Sequence, residues 1–249
     1  MKGKVIILAS LLAIVALCLF SPAVVAQEGG AKAPAGGSTT LGDIFKNAGI
    51  IGWLIVLLSV VGMGLVIEHF ITVRRDKLAP PELIDEVEAL LEEKEYQEAL
   101  ELCESEPNYF TNVVAAGLPK ISASFEAMEK SIEEAGEEEA VRLHQKISWL
   151  SLIANVAPMM GLLGTVAGMI EAFNVIAAQQ GQASPADLAG GISGALITTM
   201  FGLIVAIPIT AFFFFFRNRV VKTVIEVGAI VEDLFERFRP RSESHAPNA

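Results

Sequence analysis

The sequence has few of the residues that build disulfide frameworks and metal sites. It contains two cysteines and three histidines in 249 residues. Cys18 and Cys103 fall in segments that we place on different sides of a membrane or in a removed leader, so no disulfide framework is expected. The histidines lack the spacing to cysteines or acids that a metal cage needs. We therefore expect neither a metal nor a cofactor.

Positive charge is also scarce. The chain has 18 Lys and Arg against 29 Asp and Glu, a formal net charge of -11. Proteins that hold nucleic acid collect Lys and Arg on one face, so nucleic acid is not an expected partner. Apolar residues are abundant, at 53% of the sequence, which is too many for a simple soluble domain. The composition predicts a membrane protein.

The N-terminus has the order of a secretory signal peptide. Residues 1–26 run from MKGK through an apolar stretch to small residues, and cleavage is predicted after Ala26. The alternative is an uncleaved first span, although sixteen apolar residues are slightly short for a hydrocarbon core of about 30 Å. Residues 27–43 are rich in Gly, Ala and Pro and are expected to form a disordered periplasmic tether.

Three later segments are apolar enough to cross a membrane as helices. They lie in residues 44–75, 147–178 and 188–217, and the last two are joined by a polar periplasmic turn at 179–187. Arg74 and Arg75 lie at the end of the first segment, and Arg217 and Arg219 lie at and just beyond the end of the third. Because Lys and Arg beside a span mark the cytoplasmic side, the mature N-terminus is predicted to be periplasmic and the C-terminus cytoplasmic.

The negative charge is concentrated in residues 76–146. This segment has 19 Asp and Glu and 6 Lys and Arg, a balance of -13. Leucines and valines at helical spacing predict short amphipathic helices in an acidic cytoplasmic domain. Residues 218–249 form a C-terminal helix and tail whose apolar stripe needs a partner, either its own domain or a neighbouring subunit. The fold class expected is an all-α membrane protein with long cytoplasmic helical extensions.

Small residues recur every three or four positions in the second and third segments, and they predict closely packed helices. They include Gly161, Gly164, Gly168, Gly194 and Gly202. Simple tight packing would account for any single one of these glycines.

Three threonines accompany the small residues, namely Thr165, Thr198 and Thr199. Their hydroxyls can position a proton or water without carrying charge, or can bond a carbonyl of their own helix. Pro158 and Pro208 lie inside the same two segments and can bend them.

One ionisable residue, Glu171, stands at the outer end of the second segment. Ionisable groups in a membrane are often functional, but its position beside the polar turn equally allows simple solvation at the interface. The third segment has no acid between residues 188 and 216. If the chain conducts protons, the carboxylate that binds them must come largely from another polypeptide.

Two stretches resemble signatures of a known family. Residues 157–169, APMMGLLGTVAGM, resemble the "APxxGLxGTVxGM" signature of the ExbB/TolQ/MotA proton-channel subunits. Residues 191–208, GISGALITTMFGLIVAIP, are similar to that family's "GIxxALxxTxxGLxxAIP". The resemblance covers about residues 44 to 239, and the signal peptide and extension resemble the ExbB branch.

The resemblance implies a homo-oligomer, a pentamer, in the bacterial inner membrane. Its second and third helices would line a pore around a dimer of ExbD-like single-span subunits, and these would supply the aspartate. Thr165 and Thr199 match the family's two pore-lining threonines. Proton flow would drive work that a TonB-like protein transmits to the outer membrane.

Other functions stay open. Gly194 stands where ExbB and TolQ proteins commonly carry a glutamate, so that acid is absent or replaced, for example by Glu171. A TolQ-like role in envelope maintenance is the first alternative, and a passive membrane scaffold is the second. An enzyme is not expected, because the sequence has no HExxH or GxSxG motif and no paired intramembrane aspartates.

Overall fold

The computed structural model describes residues 49–180, 182 and 184–239. Within this range the protein is all-helical, as the sequence predicts. The helices are α1 Gly49–Thr72, α2 Arg75–Leu78, α3 Pro81–Glu93, α4 Tyr96–Ser105, α5 Tyr109–Gly117, α6 Phe125–Ala178 and α7 Pro185–Glu236. A short 3₁₀ helix, Leu118–Lys120, follows α5. The predicted signal peptide and tether lie outside the described residues.

Three helices are long and apolar enough to cross a membrane, namely α1, α6 and α7. Helix α6 has 54 residues and α7 has 52. At about 1.5 Å per residue each is much longer than a hydrocarbon core of about 30 Å. Helix α6 continues through residue 147 and α7 continues through residue 217, because no glycine, proline or cap interrupts the backbone there.

The chain divides into two compact units. One, the membrane unit, contains residues 49–64 together with Leu150–Phe212. The other, the extension unit, contains Leu65–Trp149 and residues 213–239. Helices α6 and α7 each contribute to both units, so the apolar and acidic parts of the sequence share continuous helices.

Local signals explain the short helices of the extension unit. Helix α3 begins with Pro81 and is capped at its C-terminal end by Lys94. Lys94 has a left-handed backbone with φ of 63° and donates its N–H to the Leu90 carbonyl oxygen. Helix α5 begins with a capping box in which Asn108 and Thr111 each accept the other's backbone N–H. Both devices satisfy backbone groups that a helix end otherwise leaves unpaired.

The apolar stripe of α7 is covered within the extension unit. Val220 and Val227 are fully buried, and Leu234 is nearly so. The sequence left open whether this stripe packs in its own domain or against a neighbour, and the structure buries these residues within a single chain. Val221 and Ile225 stay exposed on the other side of the helix.

The phenylalanine run 212–216 is divided between two environments. Phe214 and Phe215 are about half exposed, whereas Phe212 and Phe216 are buried. In the extension unit, Phe216 packs edge-on against Phe70 with ring centroids 4.8 Å apart. Successive residues of a helix point in different directions, so a continuous run cannot all face lipid.

Candidate functional site: the contact between α6 and α7

In the membrane unit α6 and α7 run antiparallel and approach closely at their small residues. A methyl group on Gly202 would come within 2.6 Å of the Ala157 carbonyl oxygen. One on Gly168 would meet the Ala195 methyl at 2.8 Å and the Gly191 oxygen at 2.9 Å. Contacts this short leave no room for a side chain, so glycine allows the two backbones to touch.

The middle of this contact brings glycine against threonine. A methyl on Gly161 would lie 3.0 Å from the Cα of Thr199, and one on Gly164 would collide with the side chain of Thr198. Thr198 is almost completely buried by this arrangement, whereas Thr199 is only partly buried. The predicted packing residues Gly161, Gly164, Gly168 and Gly202 therefore lie in one interface.

Only one of the three threonines bonds across the interface. Thr199 Oγ1 donates to the carbonyl oxygen of Gly161 on α6 at 3.0 Å. Thr165 donates to Leu162 and Thr198 donates to Ala195, each at 2.7 Å and each within its own helix. The sequence allowed both kinds of bond, and the structure assigns the interhelical one to Thr199.

Thr165 and Thr199 fall on neighbouring levels of the helix pair. Thr165 is four residues after Gly161, whose oxygen accepts the Thr199 bond, and positions four apart share a helix face. Each hydroxyl donates a hydrogen bond to a carbonyl oxygen, and its own oxygen keeps lone pairs that can accept another hydrogen bond. The pair can thus accept hydrogen bonds from a group beside it.

Glu171 is not part of this cluster. It is exposed on α6, six residues beyond Thr165, a rise of about 9 Å. Within the described part of the chain its carboxylate makes no hydrogen bond or ion pair. Position 194 is a buried glycine and therefore brings no acid to the interface either. The contact between α6 and α7 carries no formal charge of its own.

The two prolines do not break their helices. Helix α6 continues through Pro158 and α7 continues through Pro208. Each proline removes one backbone donor. Near Pro208, Thr210 donates its hydroxyl to Ala206 within the same helix at 2.7 Å.

His69 lies in a tight contact of the extension unit that no sequence motif indicates. Its ring is buried, with Nδ1 2.6 Å from the Leu65 oxygen and Nε2 3.0 Å from the Lys146 oxygen. A neutral imidazole has one N–H, so it can donate to only one of these carbonyls at a time. The sequence signal that could have indicated this contact is a single histidine at the end of an apolar segment.

Comparison with known proteins supports the family resemblance. Residues 105–228 match the model of the MotA/TolQ/ExbB proton channel family. This range contains the whole of the α6–α7 contact described above. It is about half of the chain.

Two relatives illustrate the similarity in sequence. An ExbB homolog of Methanothermobacter thermautotrophicus is 28% identical over 182 residues, covering 73% of this chain and 64% of that protein. The biopolymer transport protein ExbB of Xanthomonas campestris pv. campestris is 32% identical over 122 residues, covering 49% of this chain and 48% of that protein. The chain thus spans less than two thirds of either relative.

A solved structure shares the fold. A chain of the structure of C. jejuni MotAB aligns with a TM-score of 0.54 and 16% identity, covering 94% of this chain and 96% of that one. At this identity the likeness concerns the fold alone. The family match and the three apolar helices show that this chain is a membrane protein carrying a domain of the MotA/TolQ/ExbB proton channel family.

Proposed function

We propose that the chain is the proton-channel and stator subunit of an ExbB–ExbD-type motor in the bacterial inner membrane. The motor would use the proton-motive force to energise TonB-dependent transport across the outer membrane. The observation that carries the proposal is the uncharged α6–α7 contact, in which Thr199 bonds to Gly161 and Thr165 lies one level away. The names of the ExbB relatives support the same branch.

The chemistry of the contact requires a second component. Residues 150–170 and 188–216 contain no Asp or Glu, so these spans have no carboxylate that could bind a proton. Threonine hydroxyls can accept a hydrogen bond from a protonated acid and support its loss of the proton. The aspartate would come from an ExbD-like single-span dimer held in a homo-oligomeric ring, a pentamer by family resemblance.

The proposed direction of work follows from charge and topology. Lys and Arg beside the apolar segments favour a cytoplasmic extension unit and a periplasmic turn between α6 and α7. Moving one elementary charge across about 100 mV yields about 2.3 kcal/mol, so a few protons supply useful mechanical work. A TonB-like protein would carry that work to the outer membrane.

The test replaces the hydroxyls that the proposal uses. Thr165→Val and Thr199→Val should assemble with the partner but reduce proton flux into proteoliposomes by at least about tenfold, since each removes a positioned hydrogen-bond acceptor for the protonated acid. Thr210→Val is the matched control, because its hydroxyl also bonds within its own helix but lies eleven residues beyond Thr199 on α7. Each variant's assembly is checked by its native mass.

The scaffold alternative predicts a different result. A chain that only holds a partner in the membrane would keep both partner binding and transport in all three variants. Wild-type proton flux in both Thr165→Val and Thr199→Val would therefore overturn the channel proposal. If Thr199→Val alone fails to assemble, the proton flux of Thr165→Val decides the question, because the Thr165 bond lies within α6 and does not join the two helices.

A further inference from the structure

The extension unit contains a groove of about 440 Å³ between the start of α6 and the end of α7. Its walls are formed by residues 125–136 of α6 and 228–236 of α7, and Arg239 and two residues of α5, Tyr109 and Val113, complete the lining. The apolar lining consists of Val113, Phe125, Met128, Ile132, Val231 and Phe235. A cavity of this size accommodates large apolar side chains.

The rim of the groove is acidic on both sides. Glu129 and Glu133 line it from α6, and Glu232 and Glu236 line it from α7. All four are exposed, and within the described residues none of their carboxylates forms an ion pair. Each helix thus places two like charges four residues apart, an arrangement that destabilises an isolated helix.

One cation lies at the end of the groove. Among the described residues Arg239 is the only Lys or Arg in the lining, and its guanidinium lies 5.8 Å from the Phe125 ring centroid. One positive charge does not balance four carboxylates. The groove therefore keeps a strongly negative rim around an apolar floor.

Two helix-interior glycines widen the groove from opposite walls. A methyl group on Gly228 would meet nothing within 4 Å, and one on Gly136 would meet only the Tyr109 hydroxyl at 3.9 Å. Glycine is less stable than alanine inside a helix, and no atom of the described residues requires glycine at either position. The two glycines keep open a space that the described residues do not fill.

We propose that the groove binds a basic amphipathic helical segment of a partner protein, with apolar side chains on its floor and Lys or Arg against the four glutamates. A second copy of the acidic domain is a poor occupant, because residues 76–146 already carry a balance of -13. Helix-in-groove binding of this kind is a common recognition mode.

The assignment rests on the proposed function for the side of the membrane on which the extension unit lies. A single-span partner carries Lys and Arg beside its span on the cytoplasmic side, by the positive-inside rule. Its juxtamembrane segment then has the charge that the rim complements. The groove is assayed by peptide binding without a proton gradient, so failure here is distinguishable from failure of the channel proposal.

The experiment uses the full chain in detergent and a fluorescein-labelled peptide of leucine and lysine with helical periodicity. Fluorescence anisotropy should detect binding that weakens as salt is raised. Replacing the rim with glutamine at 129, 133, 232 and 236 should weaken the affinity by about tenfold, since each exposed charge pair contributes modestly. Gly228→Trp, which fills the groove, should reduce binding similarly.

Two matched variants separate groove binding from general attraction to an acidic protein. The first neutralises four exposed acids elsewhere in the unit, namely Glu82, Asp85, Glu86 and Glu104. The second is Gly228→Ala, which adds a methyl without filling the groove. Both should bind the peptide as the wild type does.

Three results would overturn the proposal. The peptide could fail to bind the wild-type chain, or the distant neutralisation could weaken binding as much as the rim variant. Alternatively, Gly228→Trp could lower the native mass of the assembly while leaving peptide binding unchanged, which would assign the groove to a second copy of the chain. A leucine and glutamate peptide serves as the negative probe in each case.

Discussion

At the scale of single residues, Gly202 has the shortest approach to a backbone atom in the α6–α7 contact. A methyl there would lie 2.6 Å from a backbone oxygen of Ala157, which cannot rotate away. Gly202→Ala should therefore destabilise the chain by about 1–3 kcal/mol, the usual cost of overpacking. Thermal unfolding in detergent measures the effect.

Gly190→Ala is the control on the same helix. A methyl at Gly190 meets nothing within 4 Å. Alanine is a better helix former than glycine, so this variant should be at least as stable as the wild type. Equal loss of stability in the two variants would contradict the close backbone contact.

Cys103 should be an unreactive thiol. It is fully buried between the helices of the extension unit, and this burial, with a smaller contribution from the Glu104 charge, raises the pKa of its thiol from 9.0 to about 11. Since the thiolate is the nucleophile, alkylation at pH 8 should be about 100-fold slower in the folded than in the unfolded chain. A Cys18→Ser background makes Cys103 the thiol that is measured.

The raised pKa of Cys103 makes the stability of the folded chain depend on pH. Below pH 9 both folded and unfolded chains keep the Cys103 proton, so stability is unaffected. Between pH 9 and about 11 the unfolded chain loses the proton first, so the folded state loses stability as pH rises. Equal alkylation rates in folded and unfolded protein at pH 8 would show that the thiol is accessible.

At the scale of helices, Arg237 joins the end of α7 to α3. Its guanidinium donates to Glu88 at 2.8 Å and to Glu92 at 3.2 Å. Partial burial of the guanidinium opposes its charge, but the bonds and charges of the two carboxylates dominate and raise the pKa of Arg237. The charged fork links helices about 150 residues apart in sequence.

Arg237→Gln should loosen this link. The expected cost is about 1 kcal/mol or less, since the groups are largely exposed, and it should shrink as salt is added. Faster amide exchange in α3 and α7 measures the local opening. Lys130→Gln is the control, because Lys130 pairs only with Glu134 within α6. Unchanged exchange in α3 would contradict the account.

Sequence patterns predicted the helices better than their boundaries. Apolar length identified the three candidate spans, and small-residue periodicity identified the close contact of α6 and α7. The continuation of α6 across residue 147 was not predicted, because the change from polar to apolar residues is a change of solvent and does not alter the backbone hydrogen bonds.

The sequence also did not predict which residues form hydrogen bonds between helices. Periodicity placed Thr165, Thr198 and Thr199 near the interface, but only the packing distance decides which hydroxyl reaches the opposite backbone. His69 bonds to the Lys146 carbonyl 77 residues away, a pairing that no local pattern encodes. The roles of the threonines in proton transfer stay predictions.

At the scale of the whole molecule, charge is separated along continuous helices. The acids are concentrated in residues 76–146, whereas residues 150–170 and 188–216 carry none. An uncharged contact that keeps free hydroxyl lone pairs is suited to a protonated group from another chain. We therefore expect this protein to conduct protons only as one half of a two-component channel.

Proton flux in reconstituted vesicles tests this claim most directly. The chain alone, the single-span partner alone, both together, and both with the partner's membrane aspartate changed to asparagine are compared under the same proton gradient. The account predicts flux only when the chain and the intact partner are present together. Equal flux from the chain alone, or from the complex lacking the aspartate, would contradict it.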